Sequence, residues 1–78
     1  VGVRDLLVLP VQRTHGPVVG LVVESEIAGS LEIRDAANRM LPVWLQPQIV
    51  VVIDRLPRLP GGKADRRACL GLLEQARG

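Results

Sequence analysis

The sequence predicts an α+β domain: a small three-stranded sheet in the order β-β-α-β-α, with two helices packed on it. Three observations carry this. Residues 3–13, 18–24 and 48–55 are dense in Val, Leu and Ile and are separated by turn-forming residues. Residues 31–41 and 66–76 repeat apolar side chains at helical spacing. A length of 78 residues, 47% hydrophobic and 23% charged, suits one globular unit with one core.

The first run, Val3 to Arg13, reads as a strand interrupted at Pro10, which has no N–H to give to a ladder. His15-Gly16-Pro17 is turn chemistry, and Val18 to Glu24 is a second strand, so the two runs predict an antiparallel hairpin. Gly20 marks a bulge or a point of close approach by another element. Ser30 reads as the N-cap of a helix over Leu31 to Leu41, with Ile33, Ala36, Ala37, Met40 and Leu41 on its inward face. Glu32 in its first turn and Arg39 in its last suit the helix dipole. Pro42 stops it, because a residue before proline avoids the helical region.

Leu41 to Pro47 reads as a loop. Gln48 to Arg55 is the third strand, and its unbroken apolar run predicts burial on both faces, as at the centre of a sheet. Leu56 to Ala64 holds two prolines and two glycines and is a loop. Asp65 is the expected N-cap of a last helix from Arg66 to about Ala76, with Ala68, Cys69, Leu72, Leu73 and Ala76 inward. A helix ahead of Val1 is expected to help complete the core.

Composition excludes several functions. Phe and Tyr are absent and Trp44 is alone, so the core is aliphatic and no aromatic platform exists for stacking single-stranded nucleic acid. Trp44 itself reads as a packing anchor. A net charge of +2, scattered along the chain, predicts no nucleic-acid partner. One cysteine and one histidine rule out an intrachain disulfide and a Cys/His zinc site. Cys69 lies on an inward helix face and reads as an inert buried thiol, and a reducing, cytoplasmic compartment is expected. The Val50–Ile53 run stops at Asp54, too short to cross a bilayer, so no membrane partner is expected.

One residue stands out chemically. Of ten basic residues nine are arginine, and the single lysine, Lys63, follows Gly61 and Gly62 just before a helix start. Glycines let backbone come close to a ligand. An ammonium on a flexible stem is a compact charge suited to a phosphate or carboxylate. Asp65 reads as a helix cap rather than a catalytic acid, and Arg66 and Arg67 as surface charges or contacts to a larger part of the protein outside this chain.

Two stretches carry a family resemblance. Leu41-Pro42-Val43-Trp44-Leu45-Gln46-Pro47 resembles the LPxYMVP motif of amino-acid-activating adenylation domains. Leu56-Pro57-Arg58-Leu59-Pro60-Gly61-Gly62-Lys63-Ala64-Asp65-Arg66 resembles their terminal motif, LPxTxxGKxDRxxL, with Leu70 near its final Leu. Such domains occur in nonribosomal peptide synthetases, within a superfamily that includes acyl-CoA synthetases and luciferases. Trp44 replaces a usual Tyr, Gln46 a usual aliphatic residue, Leu59 a usual Thr and Gly61 a common Asn.

The resemblance implies that residues 1–78 are the C-terminal lid subdomain of an adenylate-forming enzyme, incomplete at the N-terminal side. The large subdomain, which binds ATP and the acid, lies outside the chain. It further implies that Lys63 is the catalytic cation of acyl-adenylate formation, delivered by the Gly61-Gly62 loop. ATP and Mg2+ would be held mainly by the large subdomain and not by this chain alone. The implied partners are that subdomain and a peptidyl or acyl carrier protein bearing phosphopantetheine. Arg55 and Arg58 read as a solvated rim, with a surface for an acidic carrier protein as the alternative. A non-catalytic interaction module derived from such a lid is the second reading of the whole chain.

Overall fold

The computed structural model describes residues 2–76. Strands β1 (Asp5–Arg13) and β2 (Gly16–Glu24) form an antiparallel hairpin, α1 (Ser30–Met40) follows, then β3 (Ile49–Ile53) and α2 (Arg66–Gln75). The predicted order and class are therefore observed. The turn between Arg13 and Gly16 is two residues long, and Gly16 leaves it at φ +115, in the region that favours glycine. Pro10 does not break β1: it pairs with Val19 inside a continuous ladder. β1 is an edge strand, where a missing N–H is tolerated.

The sheet order is β1-β2-β3, with β3 parallel to β2. The chain reaches that parallel position by crossing over through α1. The expectation that β3 is the central strand is thus corrected. β2 is central, and Gly20 to Glu24 are all buried. β3 is an edge strand whose two faces are both covered: Ile49, Val51 and Ile53 meet one core cluster, Val50 and Val52 the other. An apolar run reports covered faces; it does not report how many neighbours a strand bonds.

Side-chain alternation along the strands divides the apolar residues between two layers. On one face Leu9, Val11, Val22 and Ile49 pack with Leu56, Cys69 and Leu73 under α2. On the other, Leu21 and Val23 pack with Ala28 and Ile33 under α1. Gly20 is the close-approach point: a Cβ there would lie 2.8 Å from Leu73 Cδ1 and 2.8 Å from Val11 Cγ2. The missing side chain lets α2 settle onto β2.

Around α1 three expectations are corrected. Its N-cap is Gly29, not Ser30, and no side chain caps it. The preceding turn is organised instead by the Ser25 hydroxyl, which accepts from the N–H groups of Ile27 (3.3 Å) and Ala28 (3.0 Å) and donates to the Gly2 carbonyl (3.0 Å). Met40 and Leu41 are exposed, because α1 lies mainly over β3 and leaves the β1 side of this face open. There Leu6, Val8 and Leu21 line a shallow apolar groove with Ala37, Met40 and Leu41. Trp44 is 78% exposed, in a short 3-10 turn (Val43–Leu45), and so is no packing anchor among the described residues. Gln46 has a definite task. Its amide donates to the carbonyls of Asn38 (3.1 Å) and Leu41 (3.0 Å), satisfying groups that the end of α1 leaves open.

Candidate functional site

The Lys63 loop is built from the turn chemistry of its sequence. The Gly62 N–H donates to the Leu59 carbonyl (2.8 Å), and the Leu59 N–H donates to the Lys63 carbonyl (2.8 Å). Pro60 occupies the second turn position, where its fixed φ fits. Gly61 has an ordinary negative φ, whereas Gly62 lies at φ +91. This is a three-residue hairpin loop closed by a glycine in the left-handed region. Arg58 and Ala64 pair across its base. No atom lies within 4 Å of a Cβ placed on Gly61 or Gly62, so the space on the side-chain side of both glycines is open.

Lys63 follows the turn. It is exposed, and no ion pair among the described residues includes its ammonium. Its carbonyl is held while its side chain is uncommitted. Two residues later Asp65 caps α2, its carboxylate accepting from the Ala68 N–H at 3.1 Å, as the sequence predicts. The Asp65 N–H donates to the Pro57 carbonyl at 2.8 Å, so the helix start and the loop base are tied together.

Arg58 is not a freely solvated rim residue. Its Nη2 donates to Asp5 Oδ2 (3.2 Å) and to Glu24 Oε1 (3.2 Å), and its Nη1 donates to the Gly62 carbonyl (3.2 Å). Glu24 is 8% exposed, at the end of the central strand, and its Oε2 accepts from the Leu56 N–H (3.1 Å). The hydrogen bond that Arg58 donates to Asp5 raises the Arg58 pKa above its ordinary value, with Glu24 adding to it against the opposing effect of desolvation. Sequence reading missed this cluster because Asp5, Glu24 and Arg58 are far apart in the chain. The only local hint was a glutamate ending an otherwise apolar strand.

Cys69 lies at the inner face of α2, fully buried, as expected. Burial, and to a smaller degree the charge of Asp65, push its thiol pKa upward. That keeps it protonated and a poor nucleophile. Among the described residues no group of three or more His, Cys, Asp or Glu side chains is placed to hold a metal ion. No helix there is long and apolar enough to cross a membrane.

No protein-family model matches the chain. Among curated proteins it is 42% identical over 62 residues to CymA of Salinispora arenicola, whose name calls it a probable non-canonical nonribosomal peptide synthetase; the match spans 78% of this chain and 1% of the relative. It is 40% identical over 45 residues to a linear gramicidin synthase of Brevibacillus parabrevis, covering 58% of this chain and 1% of that protein. The chain thus spans about one hundredth of the length of these relatives. Among solved structures, ATP-bound MatB from Rhodopseudomonas palustris superposes with a TM-score of 0.83 at 20% identity, over 96% of this chain and 16% of that one. Holo-PA1221, a nonribosomal peptide synthetase protein with adenylation and PCP domains, superposes with a TM-score of 0.72 at 26% identity, over 92% of this chain and 12% of that one. The fold is that of the C-terminal lid of adenylate-forming enzymes, and the sequence kinship runs to nonribosomal peptide synthetases. On these two grounds the chain is similar to the C-terminal subdomain of adenylate-forming enzymes of the adenylation-domain type.

Proposed function

We propose that this chain is the mobile lid of a cytoplasmic, ATP-dependent ligase that activates an amino acid or another carboxylic acid, and that Lys63 is its catalytic cation. In the reaction a carboxylate oxygen attacks the α-phosphorus of ATP. The bond from that phosphorus to the bridging oxygen of the β-phosphate breaks, leaving an acyl-adenylate and pyrophosphate. Two anions must meet, and negative charge gathers on the phosphoryl oxygens at the transition state. An ammonium fixed beside them favours that state over the separated reactants. The observation that carries this reading is the pairing of a hydrogen-bonded Lys63 backbone with an exposed Lys63 side chain outside every ion pair among the described residues.

The large subdomain would supply the surfaces for ATP, Mg2+ and the acid. In the second half of the proposed cycle the phosphopantetheine thiolate of a carrier protein attacks the acyl carbon, and AMP leaves. Lys63 has no task in that step, which suits a lid that turns away after adenylation. The test is reconstitution. The chain is mixed with the large subdomain of a nonribosomal peptide synthetase adenylation domain, and ATP–pyrophosphate exchange is followed with that domain's acid. Exchange that needs both parts is expected; association of the two without exchange would refute the catalytic role.

A further inference from the structure

We propose that Arg58 is the positioning residue of the Lys63 loop, a clamp that fixes the loop's tip to the sheet through Gly62. This rests on the reading of Lys63 as the catalytic cation. A loop containing two adjacent glycines starts with wide backbone freedom, and freezing it costs entropy. The two turn hydrogen bonds order the loop internally but do not orient it on the domain. Arg58 supplies that orientation. One arm of its guanidinium meets the Gly62 carbonyl (3.2 Å), and the other meets Asp5 on β1 and Glu24 on β2 (3.2 Å each).

The anchor is rigid. Glu24 is buried, and its second oxygen holds the Leu56 N–H at 3.1 Å, where the same loop begins. One carboxylate therefore fixes the base of the loop directly and its tip through Arg58. A planar fork with donors pointing two ways is required, which lysine does not provide. Lysine at position 58 would keep a positive charge beside Asp5 and Glu24 but lose the simultaneous bond to Gly62. That separates a positioning role from plain charge neutralisation.

The experiment compares Arg58→Lys, Arg58→Gln and Asp5→Asn in two measurements. The first is backbone NMR order parameters of the chain. In the wild type Gly62 and Lys63 are expected at values typical of ordered backbone, about 0.85, and in Arg58→Lys below about 0.6 while the strands stay ordered. The second is adenylate formation in the reconstituted enzyme. There kcat is expected to fall roughly 10–10²-fold in Arg58→Lys and Arg58→Gln, as a displaced group does, with KM for ATP and for the acid unchanged. Asp5→Asn leaves the Gly62 bond and the buried carboxylate in place, and a smaller loss is expected.

Unchanged order parameters in Arg58→Lys would overturn the clamp. So would a loop that loosens without any fall in kcat, in an enzyme that Lys63→Ala inactivates. If Lys63→Ala leaves adenylation intact, the reading of Lys63 falls instead, and the clamp is judged by the order parameters alone. Should Arg58→Gln fail to fold, Arg58→Lys carries both measurements.

Discussion

Gly20→Ala tests whether the approach of α2 to the sheet is set by one absent side chain. The new Cβ would lie 2.8 Å from Leu73 Cδ1, 2.8 Å from Val11 Cγ2 and 3.1 Å from Leu73 Cδ2. Leu73 and Val11 are both at 0% exposure, so neither has empty space to move into. Val11 is β-branched and stiff, and Leu73 has terminal methyls that rotate only by displacing core neighbours. Overpacking of this kind costs about 1–3 kcal/mol. Replacing a strand glycine returns about 0.5–1 kcal/mol of backbone entropy. The middle of both ranges leaves a net loss of about 1 kcal/mol, which lowers Tm by roughly 4–8 °C in a domain this small. Thermal and urea unfolding measure it. In a Val11→Ala background the same substitution should cost less, since one clashing methyl is gone, giving a favourable coupling. A Tm that rises or stays constant, or a cycle with no coupling, would refute the packing argument. The consequence reaches the site, because Asp65, the N-cap of α2, lies two residues beyond Lys63.

Three further outcomes follow from named contacts. Asp65→Ala removes the cap on the Ala68 N–H and should cost about 0.5–2 kcal/mol in urea unfolding; a loss near zero would mean that the cap is idle. Trp44→Ala should change the stability of this chain by less than about 0.5 kcal/mol, since its side chain is largely exposed; Trp44 fluorescence should be that of a hydrated indole, quenched freely by iodide, and a protected, blue-shifted emission would contradict the structure. The Cys69 thiol pKa is raised in the folded state, so the unfolded chain ionises first as pH rises. Stability should therefore be intact below the ordinary thiol value of about 8.5 and decline above it, and Cys69→Ala should flatten that decline. Equal pH slopes in the two proteins would sink this assignment.

What the sequence made legible was periodic or local. The hairpin, both helices, the Asp65 cap and the close approach at Gly20 rest on neighbours within a few residues or on a regular spacing. Lys63 drew attention because it is the only lysine and follows two glycines. What stayed hidden depends on which elements meet. β2 and β3 both read as continuous apolar runs, and nothing local says which of them has two bonded neighbours. Met40 and Leu41 hold inward positions by helical spacing, yet face an open groove, because α1 covers only part of its sheet face. Glu24, Asp5 and Arg58 come together only through the register of β1 on β2 and the return of the chain after β3.

The most direct test of the central claim is the rate of acyl-adenylate formation by Lys63→Arg and Lys63→Ala in the reconstituted enzyme, with folding verified by NMR. Loss of an electrostatic contact to the transition state predicts a rate about 10²–10³ lower for Lys63→Ala, and a large loss for Lys63→Arg, whose wider head group places its charge differently. Adenylation by both variants at the wild-type rate would contradict the account.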